Sequence, residues 1–222
     1  DTNNYLLMSY TLMSERYEGL ERHKYENQVF EFTCLRGIVS GMIIPFFFKM
    51  CGMKIGTEGV EYYGEVHLTF WNSFIHTLFM PFTISGILIA FPALLRCNKA
   101  ETYHVRYFLF CFYFGHYIIA LNPLIACVTM YYYYSVLDFV NKHINLDDLD
   151  MLQKKSVGLF HKNNLLLLFG LTIMTTSLII QELVGHKYGG DDPSRIEAVP
   201  NAILYAMYYS VSHLFTAIYK LI

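Results

Sequence analysis

The stretch that most limits how this chain can fold is Tyr63-Gly-Glu-Val-His67-Leu-Thr-Phe-Trp-Asn72-Ser-Phe-Ile-His76-Thr-Leu-Phe-Met-Pro81, which continues through apolar residues to Leu95. It is long enough to cross a bilayer, yet it carries two histidines and an asparagine. Ionisable groups at membrane depth are costly, and they usually line a site, pair with one another or bind something. The chain therefore reads as an integral membrane protein with chemistry inside the membrane.

Composition agrees, with 55% hydrophobic and 17% aromatic residues beside 16 Lys/Arg and 18 Asp/Glu. A net charge of −2 leaves no basic footprint for nucleic acid and excludes that class of partner. Five cysteines, none in a C-x-x-C pair and most within apolar runs, are expected to pack as small hydrophobes.

Residues 1–60 form the first of two expected units. The opening 28 residues hold eight formal charges and four tyrosines without the order of a secretory signal, and read as a polar extension. Because residue 1 is Asp, the chain is expected to be processed or to begin inside a longer one. From Val29 to Met53 the apolar sequence is interrupted by Glu31, Arg36 and Lys49, and its longest uncharged run, Gly37 to Phe48, is twelve residues. That run is too short to span, so a helix broken at Pro45 and lying at the interface is expected.

Residues 61–222 are expected to form an all-α, polytopic membrane bundle. Four apolar blocks follow the polar stretch 54–65, at 68–95, 107–137, 164–184 and 199–219. If the second block crossed once, His67 and His186 would face opposite sides of the membrane. Asn122-Pro123 lies in its middle, where proline removes a backbone donor and drives the preceding residue out of the helical region. A break there predicts a short hairpin, hence five apolar helices, with His186 returned to the side of His67. Tyr131 to Tyr134 fits an aromatic belt at the interface.

Asn72 and His76 are four residues apart and share one helix face, about 40° from each other. His67, nine residues before His76, must sit in the preceding loop to join them. Glu182 and His186 are likewise at i, i+4, and Gly185 permits close backbone approach. Two histidines with a carboxylate can make the facial site of a non-haem Fe(II) oxygenase; the alternative is that these groups hydrogen-bond between helices. His213 is a candidate additional ligand, because its helix follows the Gly185-His186 loop, and His116 is a weaker one.

His67-x4-Asn72-x3-His76-x4-Pro81, with Tyr63 four residues ahead and a later Gly185-His186 ending an apolar helix, resembles a membrane family typified by the 2-hydroxy fatty acid dioxygenase of phytosphingosine degradation. The similarity covers about residues 60 to 222. Where that family usually has Gln four residues before the second-signature histidine, this chain has Glu182, with Gln181 displaced by one; where the family has Glu four residues after it, this chain has Gly190.

The resemblance implies an Fe(II)-dependent dioxygenase of the endoplasmic reticulum, surrounded by membrane lipids, that shortens long-chain 2-hydroxy fatty acids by one carbon. Iron would be held by His67, His76 and His186, with Glu182 or His213 completing the shell and Asn72 and Glu182 assisting the chemistry. The other expectation is a non-catalytic accessory subunit of a larger membrane complex, such as a mitochondrial inner-membrane respiratory assembly. The 60-residue N-terminal unit and the altered second signature favour it.

Overall fold

The computed structural model describes residues 2–65, 67, 69–144, 162–190 and 199–221, which form seven helices and no strand. These are α1 (Thr2–Met50), α2 (Thr57–Gly64), α3 (Phe70–Leu94), α4 (Lys99–Ala120), α5 (Pro123–His143), α6 (Lys162–Ile180) and α7 (Val199–Leu221). A π turn, Gln181–His186, and a final turn, Lys187–Gly189, continue α6 without interruption. The chain is an all-α helical bundle, as the apolar blocks predict. Glu26–Met50, Phe70–Leu94, Pro123–His143 and Asn163–His186 are long and apolar enough to cross a membrane. Residues 145–161 and 191–198 lie outside the described residues.

The expected break in the second block is present between α4 and α5. Leu121 takes an extended conformation ahead of Asn122. Asn122 then caps α5, its side chain accepting from Leu124 N at 3.0 Å and Ile125 N at 3.4 Å, with Pro123 in the first turn. There the missing proline N–H would have had no helical partner in any case.

The break expected at Pro45 does not occur: α1 runs unbroken through it, and Glu26–Met50 reaches the length and apolarity of a span. The reason is tertiary. An internal proline leaves the carbonyl four residues earlier without its helical donor, and in apolar surroundings that carbonyl must find another partner. Side chains of other helices meet these carbonyls. The Tyr132 hydroxyl donates to the Thr77 carbonyl freed by Pro81 at 2.8 Å, Arg106 Nε donates to the Leu88 carbonyl freed by Pro92 at 2.9 Å, and the His116 ring faces the Gly41 carbonyl freed by Pro45. His116 thus stands where α1 lacks a backbone donor. It also meets the Tyr205 hydroxyl through Nε2 at 2.9 Å, and that hydroxyl receives Gly56 N at 2.7 Å.

Two helix pairs bring their backbones together through small residues, which compensates for the absence of a hydrophobic driving force between helices in lipid. Gly37 and Gly41 of α1 lie directly on the Phe108 to His116 stretch of α4, and Gly115 faces the Ile38 backbone. Antiparallel α3 and α6 touch at Gly86 and Gly170, where an added Cβ would come within 2.7 Å of the opposite backbone. Of the four-tyrosine cluster, Tyr131 and Tyr134 are exposed as a belt requires, but Tyr132 turns inward to α3 and Tyr133 is 3% exposed in the core.

Candidate metal centre

Because α3 and α6 are antiparallel, the start of α3 and the end of α6 meet at one end of the bundle. α2 and the mid-portion of α7 close that end. His67 precedes α3, His76 lies two turns inside it, and His186 ends the π turn; all three are buried, at 1%, 3% and 3% exposure. Each offers a ring nitrogen, and these nitrogens lie within 4.8 Å of one another. Ring centroids are 4.6 Å apart for His67 and His76, 4.8 Å for His67 and His186, and 5.7 Å for His76 and His186.

Surrounding groups orient the rings. His67 Nδ1 is 2.8 Å from the Tyr63 carbonyl; a carbonyl only accepts, so Nδ1 carries the hydrogen and the Nε2 lone pair remains. Tyr63 also stacks on His67 at 4.1 Å, and its hydroxyl lies 3.4 Å from His76 Nδ1. Burial first, then the Glu182 carboxylate and Tyr209, raises the Tyr63 hydroxyl well above the ordinary tyrosine value. It therefore remains a neutral phenol able to serve either tautomer of His76. His76 Nε2 is buried and has no hydrogen-bond partner among the described residues.

Asn72, fully buried, brings Nδ2 to 3.5 Å from His186 Nδ1. Gly185 is required for this approach, since a Cβ there would stand 2.7 Å from Asn72 Oδ1 and 3.5 Å from His76 Nε2. Tyr209 of α7 donates to the His67 carbonyl at 2.7 Å.

This donor set suits a metal. Three imidazoles with no lysine or arginine among them accommodate Zn, Cu, Fe or Ni, and two of the rings are held from behind by backbone or phenol as ligand histidines usually are. Glu182 is not one of the three converging donors: it is half exposed, with Oε2 3.5 Å from His186 Nε2. His213 is not brought into the group either. It lies one helical turn beyond Tyr209 and stacks on that ring, at 5.5 Å and 10° between planes, so Tyr209 is the residue through which α7 reaches His67.

Gln181 reveals what the helical spacing conceals. On an α-helix, residues five apart diverge by about 140°, which would turn Gln181 away from His186. The π turn closes from i to i+5 and stacks them instead, leaving Gln181 1% exposed and facing α3. The wider turn thereby sets Gln181 and His186, five residues apart, on one face.

Beyond the histidines a cavity of about 670 Å³ descends between the helices, with Tyr63, His67, His76, Gln181 and Glu182 at its head. Its walls include Met80, Ile84 and Ile87 of α3, Leu109 and Tyr117 of α4, Tyr133 of α5, Met174 and Leu178 of α6 and Ile203 and Met207 of α7. The α3 wall from His76 to Ile87 measures about 16 Å. α6 packs along α3 and makes no comparable interface with α4, α5 or α7 among the described residues. Leu178 and Ile203, on either side of that gap, line the cavity and are also exposed on its outside.

No family model, curated protein or solved structure matches the chain.

Proposed function

We propose that the chain is a membrane-embedded oxygenase-like enzyme that binds Fe(II) through His67, His76 and His186 and shortens long-chain 2-hydroxy fatty acids by one carbon. The observation that carries this reading is the convergence of three buried histidine nitrogens within 4.8 Å, at the head of an apolar cavity. The spacing of Tyr63, His67, Asn72, His76 and Pro81 supplies the substrate class through its resemblance to the 2-hydroxy fatty acid dioxygenase family. Fe(II), when bound, would supply positions for the oxygens of the acid and for dioxygen, and the redox chemistry of the cleavage.

The chain's own residues do the rest. Tyr63 holds His67 through its carbonyl and His76 through its hydroxyl, while Asn72 holds His186. Apolar walls of α3, α4 and α6 receive the acyl chain and keep water from the reacting end. The gap beside α6, between Leu178 and Ile203, admits the chain sideways from bilayer lipid. Glu182, half exposed beside His186, presents its carboxylate at the head of the cavity. On this reading the protein resides in the endoplasmic reticulum.

Metal analysis of the never-chelated protein, followed by product analysis with 2-hydroxyhexadecanoic acid, tests the reading. About one iron per chain and an acid one carbon shorter are expected; protein with neither overturns it.

A second reading rests on α1. Its 49 residues make about 74 Å of helix, against about 30 Å of hydrocarbon, so the helix continues well past its apolar segment. Such an arm suits a non-catalytic subunit of a larger assembly, such as one of the mitochondrial inner membrane. Stoichiometric co-purifying subunits together with an iron-free centre would favour it.

A further inference from the structure

Gln181 lines the head of the cavity beside His67 and His76, and its side-chain amide is anchored on two hydroxyls. Its Nε2 lies 2.8 Å from Thr83 Oγ1 and 3.0 Å from Ser177 Oγ, and those two hydroxyls are 2.9 Å apart. Ser177 Oγ is also 2.8 Å from the Phe79 carbonyl.

Counting hydrogens settles which way the amide points. The Phe79 carbonyl only accepts, so the Ser177 hydrogen goes there. The Thr83 hydrogen goes to Ser177. Both remaining contacts then need hydrogens from Gln181, which only its NH₂ group can provide. The amide is therefore locked with nitrogen toward α3 and its own helix. The opposite end, Oε1, is left without a hydrogen-bond partner among the described residues, and Gln181 lines the cavity together with His76, whose Nε2 is likewise unpartnered.

On the reading above, His76 Nε2 gives its lone pair to the metal and has no hydrogen to offer. Oε1 is then a preoriented acceptor at the head of the cavity, which Gln181 lines. An acceptor left unmet is unfavourable, so an occupant that brings an O–H to this point is selected over one that does not.

We propose that Gln181 Oε1 recognises the substrate hydroxyl: it accepts the hydrogen of the 2-hydroxyl group and makes the cavity selective for hydroxy acids. This deepens the proposed function and rests on it. Gln181 stands one α-helical turn beyond Ser177, on the face of α6 that also lines the cavity through Met174 and Leu178, and the π turn then sets His186 on that same face.

The test uses the full chain in detergent, loaded with Fe(II) under exclusion of oxygen, so that binding is read without turnover. The probes are 2-hydroxyhexadecanoic and 2-methoxyhexadecanoic acid, both of which offer an oxygen at carbon 2 while only the first has a hydrogen to donate. Wild-type protein is expected to prefer the hydroxy acid, and Gln181→Leu to lower that preference about tenfold while its Kd for the methoxy acid moves less than threefold.

Thr83→Val keeps the glutamine but removes one anchor of its amide, and is expected to lower the preference about threefold; it decides the matter if Gln181→Leu does not fold. An unchanged preference in the folded variant, or equal weakening for both acids as a purely structural role would give, overturns the assignment while leaving the proposed function intact. Wild-type protein that binds neither acid overturns both.

Discussion

His116 and His76 are both buried on apolar helices, at 2% and 3% exposure, and the surroundings of their nitrogens differ at every point. The His116 ring reaches the Gly41 carbonyl on one side and the Tyr205 hydroxyl on the other, so its presence is explained by the backbone that Pro45 leaves open. His76 meets one hydroxyl at the long distance of 3.4 Å, keeps Nε2 without a hydrogen-bond partner, and faces two more imidazoles. Burial alone therefore does not separate structural from functional histidines. The separating feature is whether the fold itself uses both nitrogens.

The largest effect should come from His76→Ala. Loss of one of three ligands is expected to weaken metal binding by more than about 100-fold, beyond the usual effect of losing an outer-shell partner, with little change in thermal unfolding. His116→Ala should do the reverse, keeping full metal content while losing about 1–3 kcal/mol of stability as the Gly41 carbonyl and Tyr205 hydroxyl lose their partner. Metal titration and detergent melting of the two variants side by side check the contrast, and metal loss in His116→Ala would break it.

Tyr63→Phe sharpens the comparison on the metal side. It keeps the ring on His67 and the carbonyl that holds it, and removes only the hydroxyl facing His76, so metal affinity should fall about tenfold. An unchanged dissociation constant would show that His76 needs no support from Tyr63.

The smallest expected effect is the most specific. Pro45→Ala returns an N–H to the Gly41 carbonyl, so His116→Ala should cost about 0.5–1 kcal/mol less in that background than in the wild type. Additive losses across the double-mutant cycle would show that His116 does not act by mending α1.

The same contrast explains what could be read before the fold was known. Charge content and apolar block lengths were enough for an all-α membrane bundle, and Asn122-Pro123 was enough for the break between α4 and α5, because a cap and a proline act on their own immediate backbone; the two helices are longer than the short hairpin expected, at 22 and 21 residues. Pro45 carries an equally plain local signal, but the helix continues, with a ring 71 positions away on α4 facing the carbonyl that the proline leaves open. His67, His76 and His186 were nameable because spacing and helix direction are sequence properties. His213 was overestimated because nearness in sequence to the Gly-His loop does not determine which face of α7 meets His67.

By itself, then, the sequence determined that the apolar blocks past residue 67 are helices, where the second of them breaks and which residues have the chemistry to bind a metal. Those properties follow from composition and local backbone preference. Only the tertiary structure decided that α1 survives its proline, that Tyr209 rather than His213 reaches the site, and that a π turn sets Gln181 and His186 on one face. Each depends on partners contributed by a different helix, and no local pattern records which carbonyl, ring or amide that packing will bring within 3 Å.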